Sequence, residues 1–511
     1  MFNNPTSTNP FRVGLGSRTV PEPCSIVIFG ASGDLTRRKL IPALYNLSAS
    51  GNLPPGVRVI GFARRDKTTE QFRSEMEEAT RTFSRRSVDD KLWANFASNV
   101  YYFRGDFHIR QSYIDLDRYL SELETSQGFP PRRLFYLSAS PDEFPCILNN
   151  LRETGLNKIH ESNWPRIVLE KPFGNDLASA RKLNELVLEV FRESQTFRID
   201  HYLGKETAQN ILVLRFANKI FESVWNANYI DHVQISACES LGIGGRAGYY
   251  DKAGALRDMV QNHLLQFVCL TAMEPPSDLS PDSIRDEKVK VLRALRPIVG
   301  NDVALYTVRA QYTAGRVEGQ PVFGYRQETG IPTDSSTETY TALRLDIDNW
   351  RWSGVPFFLR TGKRLPKNAT EIAIHFKAVP PVLFRSSALD LEENVLVIRI
   401  QPDEGASLRI AVKRPGPTVT IEPVKMDFHY RTSFGSVSPD AYERLLLDVM
   451  ANDSTLFARR DEVEEAWRFV DGIRNAWDQG ICKLLFYSAG SWGPEEADRL
   501  IAKHGTFWRR L

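Results

Sequence analysis

The sequence predicts two joined fold classes: an α/β domain with a doubly wound parallel sheet, then an α+β domain with a large, mostly antiparallel sheet. Three observations carry this. The chain has 511 residues, too many for one ordinary core. Up to about residue 200, short β-branched apolar runs alternate with helical stripes, the pattern of parallel strands joined by crossover helices. Beyond that point several closely spaced segments alternate apolar and polar residues with period two, the pattern of antiparallel strands with one face covered.

The elements follow in order. Residues 1–23 are rich in Pro, Asn, Ser and Thr and read as a flexible tail. The first strand is Ser25-Ile26-Val27-Ile28-Phe29, ending in Gly30-Ala31-Ser32-Gly33-Asp34. A helix then carries Leu40, Ile41, Leu44, Tyr45 and Leu47 on one side. Val57 to Phe62 is the next strand; Thr68 with Gln71 forms a capping box, followed by a stripe of Phe72, Met76, Ala79 and Phe83. Further strands are expected at 100–103, 134–137 and 166–169. Together, residues 24–200 form a Rossmann-type domain. In 201–511, alternation marks strands at 231–239, 371–377, 394–401 and 408–413. A long helix is expected at 254–272, and two more at 441–450 and 462–477.

Bulk properties exclude several function classes. With 65 basic and 63 acidic residues the formal charge is +2, and no long basic run argues for nucleic acid. No stretch is long and apolar enough to span a membrane. The five cysteines (Cys24, Cys146, Cys238, Cys269 and Cys482) are scattered, with no metal-ligand or CxxC spacing. Inert thiols in a reducing compartment, and hence a cytoplasmic location without a metal, are the expectation.

Gly30-x-x-Gly33 falls at a strand-to-helix junction. There, glycines let the backbone approach a pyrophosphate, and the helix start offers free amides. The spacing is not GxGxxG, so by itself it equally fits any tight α/β turn. The second strand ends Gly61-Phe62-Ala63-Arg64-Arg65. An acid at that position takes the ribose hydroxyls of NAD, whereas a guanidinium grips a ribose phosphate. The sequence therefore favours NADP.

The densest chemical cluster is Arg198-Ile199-Asp200-His201-Tyr202-Leu203-Gly204-Lys205-Glu206. His201, Tyr202 and Lys205 offer three donors to one anion, naturally a phosphate; an isolated His-Lys pair would more simply be a solvated loop. His263 lies on an apolar helix with Leu256, Val260, Leu264, Leu265 and Phe267, where a hydrogen-bonded core histidine is the commoner case. A partner carboxylate such as Asp200 would fix its tautomer and make it a base. Lys171, in Glu170-Lys171-Pro172, follows a strand directly, at the carboxyl edge where such folds bind ligands. Pro172 leaves the isomer of the preceding bond open, with trans the commoner form.

Taken together, these residues resemble the glucose-6-phosphate dehydrogenase family, of bacterial type. The runs that carry the resemblance start with Gly30-Ala31-Ser32-Gly33-Asp34-Leu35, Glu170-Lys171-Pro172-Phe173-Gly174 and Arg198 through Glu206. They continue with Gly245-Arg246 through His263-Leu264-Leu265-Gln266, Arg360-Thr361-Gly362-Lys363 and Arg399-Ile400-Gln401-Pro402. The resemblance implies oxidation of glucose 6-phosphate to 6-phosphogluconolactone with reduction of NADP, the entry step of the oxidative pentose phosphate pathway. It implies His263 as the general base and Asp200 as its orienting carboxylate. His201, Tyr202 and Lys205 become the sugar-phosphate clamp; Lys171, Glu239, Asp258 and Lys363 become further ligands of the sugar hydroxyls or phosphate. Gly30, Ser32, Gly33, Asp34 and Leu35 become the coenzyme turn, Arg64 the ribose-phosphate reader, and Asp106 and Lys171 further residues lining the coenzyme cleft. The family resemblance also implies a homodimer or homotetramer.

Three departures from the family pattern stand out. A second basic residue usually lies five positions after Lys363; here that position is Asn368, with Lys367 one early. Gly244 stands where an acid is often found. The C-terminal stretch from Trp492-Gly493-Pro494 to Leu511 departs from the animal type, which puts a second, structural NADP site in question although Arg399 and Arg409 are present. Two rival readings keep the same fold: a sugar oxidoreductase of the glucose–fructose oxidoreductase kind, which needs no phosphate clamp, and a non-catalytic NADP-binding regulator, which needs no Asp200–His263 pair.

Overall fold

A computed structural model describes residues 21–126, 128–159, 163–380, 382, 391–434 and 439–511. Apart from Pro21, Glu22 and Pro23, the expected tail lies outside the described residues. The chain forms two compact units: Met1–Gly204 with Pro276–Asp286 and Pro439–Glu464, and Lys205–Pro275 with Glu287–Ser438 and Glu465–Leu511. Two later segments thus return to the first unit, which a single cut along the chain does not describe.

In the first unit the strands are β1 (Ser25–Phe29), β2 (Arg58–Ala63), β3 (Val100–Arg104), β4 (Arg132–Leu137), β5 (Trp164–Leu169) and β6 (Thr196–Ile199). Every residue of β1 is buried, as a run flanked on both sheet faces by helices must be. It pairs in parallel with β2, Phe29 opposite Phe62, and with β4, Phe29 opposite Leu137. Across the sheet the order is β3-β2-β1-β4-β5-β6. Strand order therefore reverses between β1 and β4, which opens a crevice at their carboxyl ends. The capping box forms as expected: the Gln71 amide donates to Thr68 Oγ1 (3.2 Å), and the Thr68 amide to Gln71 Oε1 (2.9 Å). Phe72, Met76 and Ala79 are buried, but Phe83 is 42% exposed and lies beneath the Arg38 guanidinium, 5.0 Å from its ring centre. The stripe ends one turn earlier than the pattern implied.

The helix Ala441–Ala451, capped by Asp440, belongs to this unit. Arg166 on β5 donates to the Val449 and Met450 carbonyls at 2.7 and 2.8 Å, which satisfies carbonyls that a helix end leaves open. The short strand Phe457–Ala458 then pairs antiparallel with β6. The Lys171–Pro172 and Gln401–Pro402 bonds are cis.

The second unit is built on a nine-stranded sheet. Its order is Ile421–His429, Gly405–Lys413, Val395–Gln401, Ala369–Phe376, β7 (Ile230–Cys238), Phe357–Gly362, Tyr340–Leu345, Thr307–Thr313 and Leu484–Ser488. Pairing is antiparallel except between β7 and Phe357–Gly362 and between Thr307–Thr313 and Leu484–Ser488. The alternation in β7 predicted one wet face, yet His232, Gln234 and Ser236 are buried. The end of the chain covers them: Gln234 Nε2 donates to the Phe507 carbonyl (2.9 Å), the Arg509 amide to Gln234 Oε1 (2.8 Å), and Arg360 bridges Ser236 Oγ and the Arg509 carbonyl. Buried polar groups need such partners. A strand of alternating sequence is thereby made central.

The single long helix expected at 254–272 is not one regular helix. An α-helix, Ala247–Ala255, contains Gly254 at φ +68°; a π-helix, Leu256–Leu264, follows, and an α-helix, Leu265–Ala272, completes the run. The apolar stripe predicted the α period; one extra residue per turn within it was not visible.

Candidate active site

The first unit delivers its candidate residues at the carboxyl ends of its parallel strands. Gly30, Ser32, Gly33, Asp34 and Leu35 follow β1, Arg64 follows β2, Asp106 follows β3, Lys171 follows β5, and Asp200, His201 and Tyr202 follow β6. The turn after β1 is tight. Gly30 has φ +87°, and a Cβ there would lie 2.3 Å from the Ser138 carbonyl oxygen, so only glycine fits. The Gly33 amide donates to the Gly30 carbonyl (2.9 Å), and a helical segment starts directly after it. The first amides of a helix have no intrahelical partner, and a helix start after a tight glycine turn suits a pyrophosphate. Asp34, 78% exposed, pairs with Arg38 at 2.8 Å. Arg64 is exposed and, among the described residues, forms no ion pair, which leaves its fork available to an anion.

Asp106 is engaged locally: its Oδ1 accepts from the His108 amide (2.9 Å), and its own amide donates to Ser112 Oγ. It shapes the turn after β3. Lys171 follows a carboxylate that sequence reasoning passed over. Glu170 is half-buried and accepts the Tyr136 hydroxyl at 2.5 Å. Burial raises its carboxyl above the usual range, against the pull of the Tyr136 and Tyr442 hydroxyls and of Lys171. After β6 the chain turns at once: the Tyr202 amide donates to Asp200 Oδ1 (2.9 Å), and the His201 and Tyr202 rings meet at 4.9 Å.

In the second unit, Lys205 is the N-cap residue of the helix Glu206–Phe216. Glu239 and Lys363 come together because β7 and Phe357–Gly362 run in parallel with Cys238 opposite Gly362. The next residue of each strand is then adjacent: Lys363 Nζ lies 2.5 Å from Glu239 Oε2. Lys363 is also 5.0 Å from the centre of the Tyr250 ring, a cation–π contact. Arg364 turns away at φ +53°, a left-handed geometry uncommon for any residue other than glycine. Three amides hold the segment: Lys363 to the Thr339 carbonyl, Arg364 to Leu241 and Leu365 to Glu239. Asn368, in place of a second basic residue, accepts the Ser240 amide at 2.7 Å, whereas Lys367 is exposed. That position here braces the turn after Glu239. Gly244, at φ +56°, lies in a short 3-10 turn.

Asp258 and His263 lie on the π-helix, both buried. Residues five apart diverge around an α-helix. On a π-helix, whose bonds run i→i+5, they draw toward one face. Tyr249 donates its hydroxyl to Asp258 Oδ1 (3.0 Å), and burial with the Asp258 charge raises the phenol, keeping it a neutral donor. Tyr249 and Tyr250 were invisible as site neighbours, since nothing in their spacing separates them from core aromatics.

A further imidazole group lies on the sheet. His232 and His375 stack at 4.1 Å with planes 20° apart; their Nδ1 atoms meet Asp231 and Glu393 at 2.7 and 2.6 Å. Each ring is thus held by a carboxylate, and the two form a hydrogen-bonded pair on the sheet. All five cysteines are free thiols. Among the described residues, no helix is long and apolar enough to cross a membrane.

The family model described as "Glucose-6-phosphate dehydrogenase, NAD binding domain" matches residues 27–210, and that described as "Glucose-6-phosphate dehydrogenase, C-terminal domain" matches residues 212–509. The chain belongs to the glucose-6-phosphate dehydrogenase family. A glucose-6-phosphate 1-dehydrogenase of Aggregatibacter actinomycetemcomitans is 49% identical over 489 residues, covering 96% of this chain and 98% of that one. One of Chlamydia pneumoniae is 47% identical, covering 98% of each. A solved glucose-6-phosphate dehydrogenase in complex with its substrate glucose-6-phosphate superposes with a TM-score of 0.88 at 35% identity, over 97% of this chain and all of that one. The Rossmann-type domain and the mostly antiparallel sheet are thus those of the glucose-6-phosphate dehydrogenase family, and the chain is an oxidoreductase that uses a nicotinamide dinucleotide.

Proposed function

We propose that the protein oxidises D-glucose 6-phosphate at C1 to 6-phospho-D-glucono-1,5-lactone, with NADP as the coenzyme. The observation that carries this is the delivery of the coenzyme turn, Arg64, Lys171 and Asp200–Tyr202 to the carboxyl ends of one parallel sheet, where such folds bind dinucleotides. Gly30 and the helix start receive the pyrophosphate, and Arg64 grips the ribose phosphate with a charge-assisted fork. The bound nicotinamide supplies the hydride acceptor.

The protein's own residues do the rest. His263 takes the C1 hydroxyl proton as hydride leaves, which avoids a free oxocarbenium. Asp200 orients His263 and stabilises the imidazolium. His201, Tyr202 and Lys205 hold the phosphate, and this remote grip positions C1. Glu239, Asp258, Lys171 and Lys363 hold the remaining sugar oxygens or the phosphate; Asp106 lines the coenzyme cleft through the turn it shapes. We read the protein as cytoplasmic, from its five free thiols. A homodimer or homotetramer built through the sheet unit fits Val424 and Met426, apolar and exposed on the edge strand Ile421–His429.

The test is absorbance of reduced nicotinamide with glucose 6-phosphate and NADP, repeated with NAD and with unphosphorylated glucose. The phosphorylated sugar with NADP is expected to turn over fastest. Glucose outperforming its phosphate would favour the sugar-oxidoreductase alternative. Coenzyme binding without turnover would favour a regulator.

A further inference from the structure

The regular helix expected at 254–272 breaks at Gly254, and the break has a partner. Glu338 is buried, 4% exposed. Its Oε1 accepts the Leu256 amide at 3.0 Å, and its main-chain oxygen accepts the Ala255 amide at 3.0 Å. A Cβ on Gly254 would lie 2.3 Å from Glu338 Oε1 and 2.6 Å from its Cδ. Glycine is therefore required twice there, for φ +68° and for space. The neighbours of Glu338 reinforce the joint: Ser335 Oγ donates to Asp251 Oδ1, and Thr337 Oγ1 to the Asp251 carbonyl, both at 2.5 Å. The next residue, Thr339, offers its carbonyl to the Lys363 amide at 2.9 Å.

We propose that Glu338 is a positioning residue for this reaction. It fixes where the π-helix begins, and so the rotation at which that helix presents Asp258 and His263, while Thr339 beside it fixes the backbone of Lys363. The inference rests on the reading of His263 as the base. A carboxylate at the first amides of a helix is stabilised by the unsatisfied N–H groups and the dipole. Burial raises the carboxyl, and the Leu256 amide pulls it back. Without the side chain, the first turn would lose the acceptor that holds it out of the α register. Asp258 and His263 would then rotate relative to the segment carrying Lys363. Misplacement of catalytic groups by about 1 Å costs on the order of a hundredfold in rate.

The experiment compares Glu338→Ala, Glu338→Asp and Glu338→Gln with the wild-type protein and with His263→Asn. Each is assayed for kcat, for both KM values and for the pH profile of kcat/KM, alongside thermal denaturation. Glu338→Ala is expected to lower kcat roughly a hundredfold, to leave KM for the coenzyme within about twofold, and to move the acid limb of the profile. Glu338→Asp, too short to reach the Leu256 amide, is expected to behave likewise. Glu338→Gln retains an acceptor oxygen and is expected to recover most of the lost rate. Loss of thermal stability with kcat and the acid limb unchanged, in either Ala or Asp, would overturn the proposal, as would a Gln variant no better than Asp. If Ala does not fold, Asp and Gln decide it. Full turnover in His263→Asn would instead refute the base assignment on which the inference stands.

Discussion

Gly30 and Tyr202 reach one sheet edge because six strands run the same way and each connection turns back there. Glu239 and Lys363 meet by a different route: two parallel neighbours inside a largely antiparallel sheet end in register. Asp258 and His263 depend on a third, an irregular helix. In the first unit the placement follows from topology. In the second it depends on particular side chains: Glu338 at the start of the helix, Tyr249 on Asp258 and Tyr250 beside Lys363. Substitutions around the irregular helix should therefore act on turnover or on sugar binding, and those at Gly30 and Arg64 on coenzyme binding.

The sharpest division is expected from His263→Asn. Loss of a general base costs about 10²–10⁴-fold in kcat, with substrate binding, read by protection against thermal unfolding, retained. Retained turnover would remove His263 from the chemistry. Arg64→Ala should act only through the first unit. Losing charge-assisted hydrogen bonds worth about 1.5–3 kcal/mol weakens NADP about 10- to 100-fold, with NAD affected far less. Equal losses, measured by fluorescence titration, would mean that Arg64 does not read the phosphate. Gly30→Ala places a methyl against the Ser138 carbonyl at a left-handed φ, which costs about 1–3 kcal/mol. A lowered melting temperature and weaker coenzyme binding are expected, with the pH profile unchanged. Tyr249→Phe is the smallest change. Removing one hydrogen bond to Asp258, worth about 1 kcal/mol, should raise KM for the sugar phosphate about fivefold and leave coenzyme binding alone. An effect on the coenzyme instead would blur the contrast between the units.

The two sheets were legible to different depths. β1 through β5 lie within two residues of their expected positions, because buried parallel strands are written as continuous apolar runs. The sheet of the second unit was legible as alternation, but not the burial of His232, Gln234 and Ser236, since that depends on residues 507–509 folding back across β7. The motif residues could be named from resemblance. Glu170 and Tyr249 lie inside runs that carry the resemblance and Glu338 lies in none, and no role was read for any of the three. Their partners lie 34, 9 and 82 positions away, distances over which a pattern of local spacing holds no information.

The sequence by itself determined the parallel strands, the glycine turn after β1 and the basic residue after β2, because each is written in contiguous residues whose backbone or charge preferences act locally; the candidate base was named by family resemblance. Only the tertiary structure decided that Gly254 breaks the helix, that the following turns are π, that Asn368 braces the Glu239 turn, and that residues 439–464 rejoin the first unit. Each of those depends on a hydrogen bond or a close approach between segments far apart in the chain, and such contacts exist only once the backbone has brought them within reach.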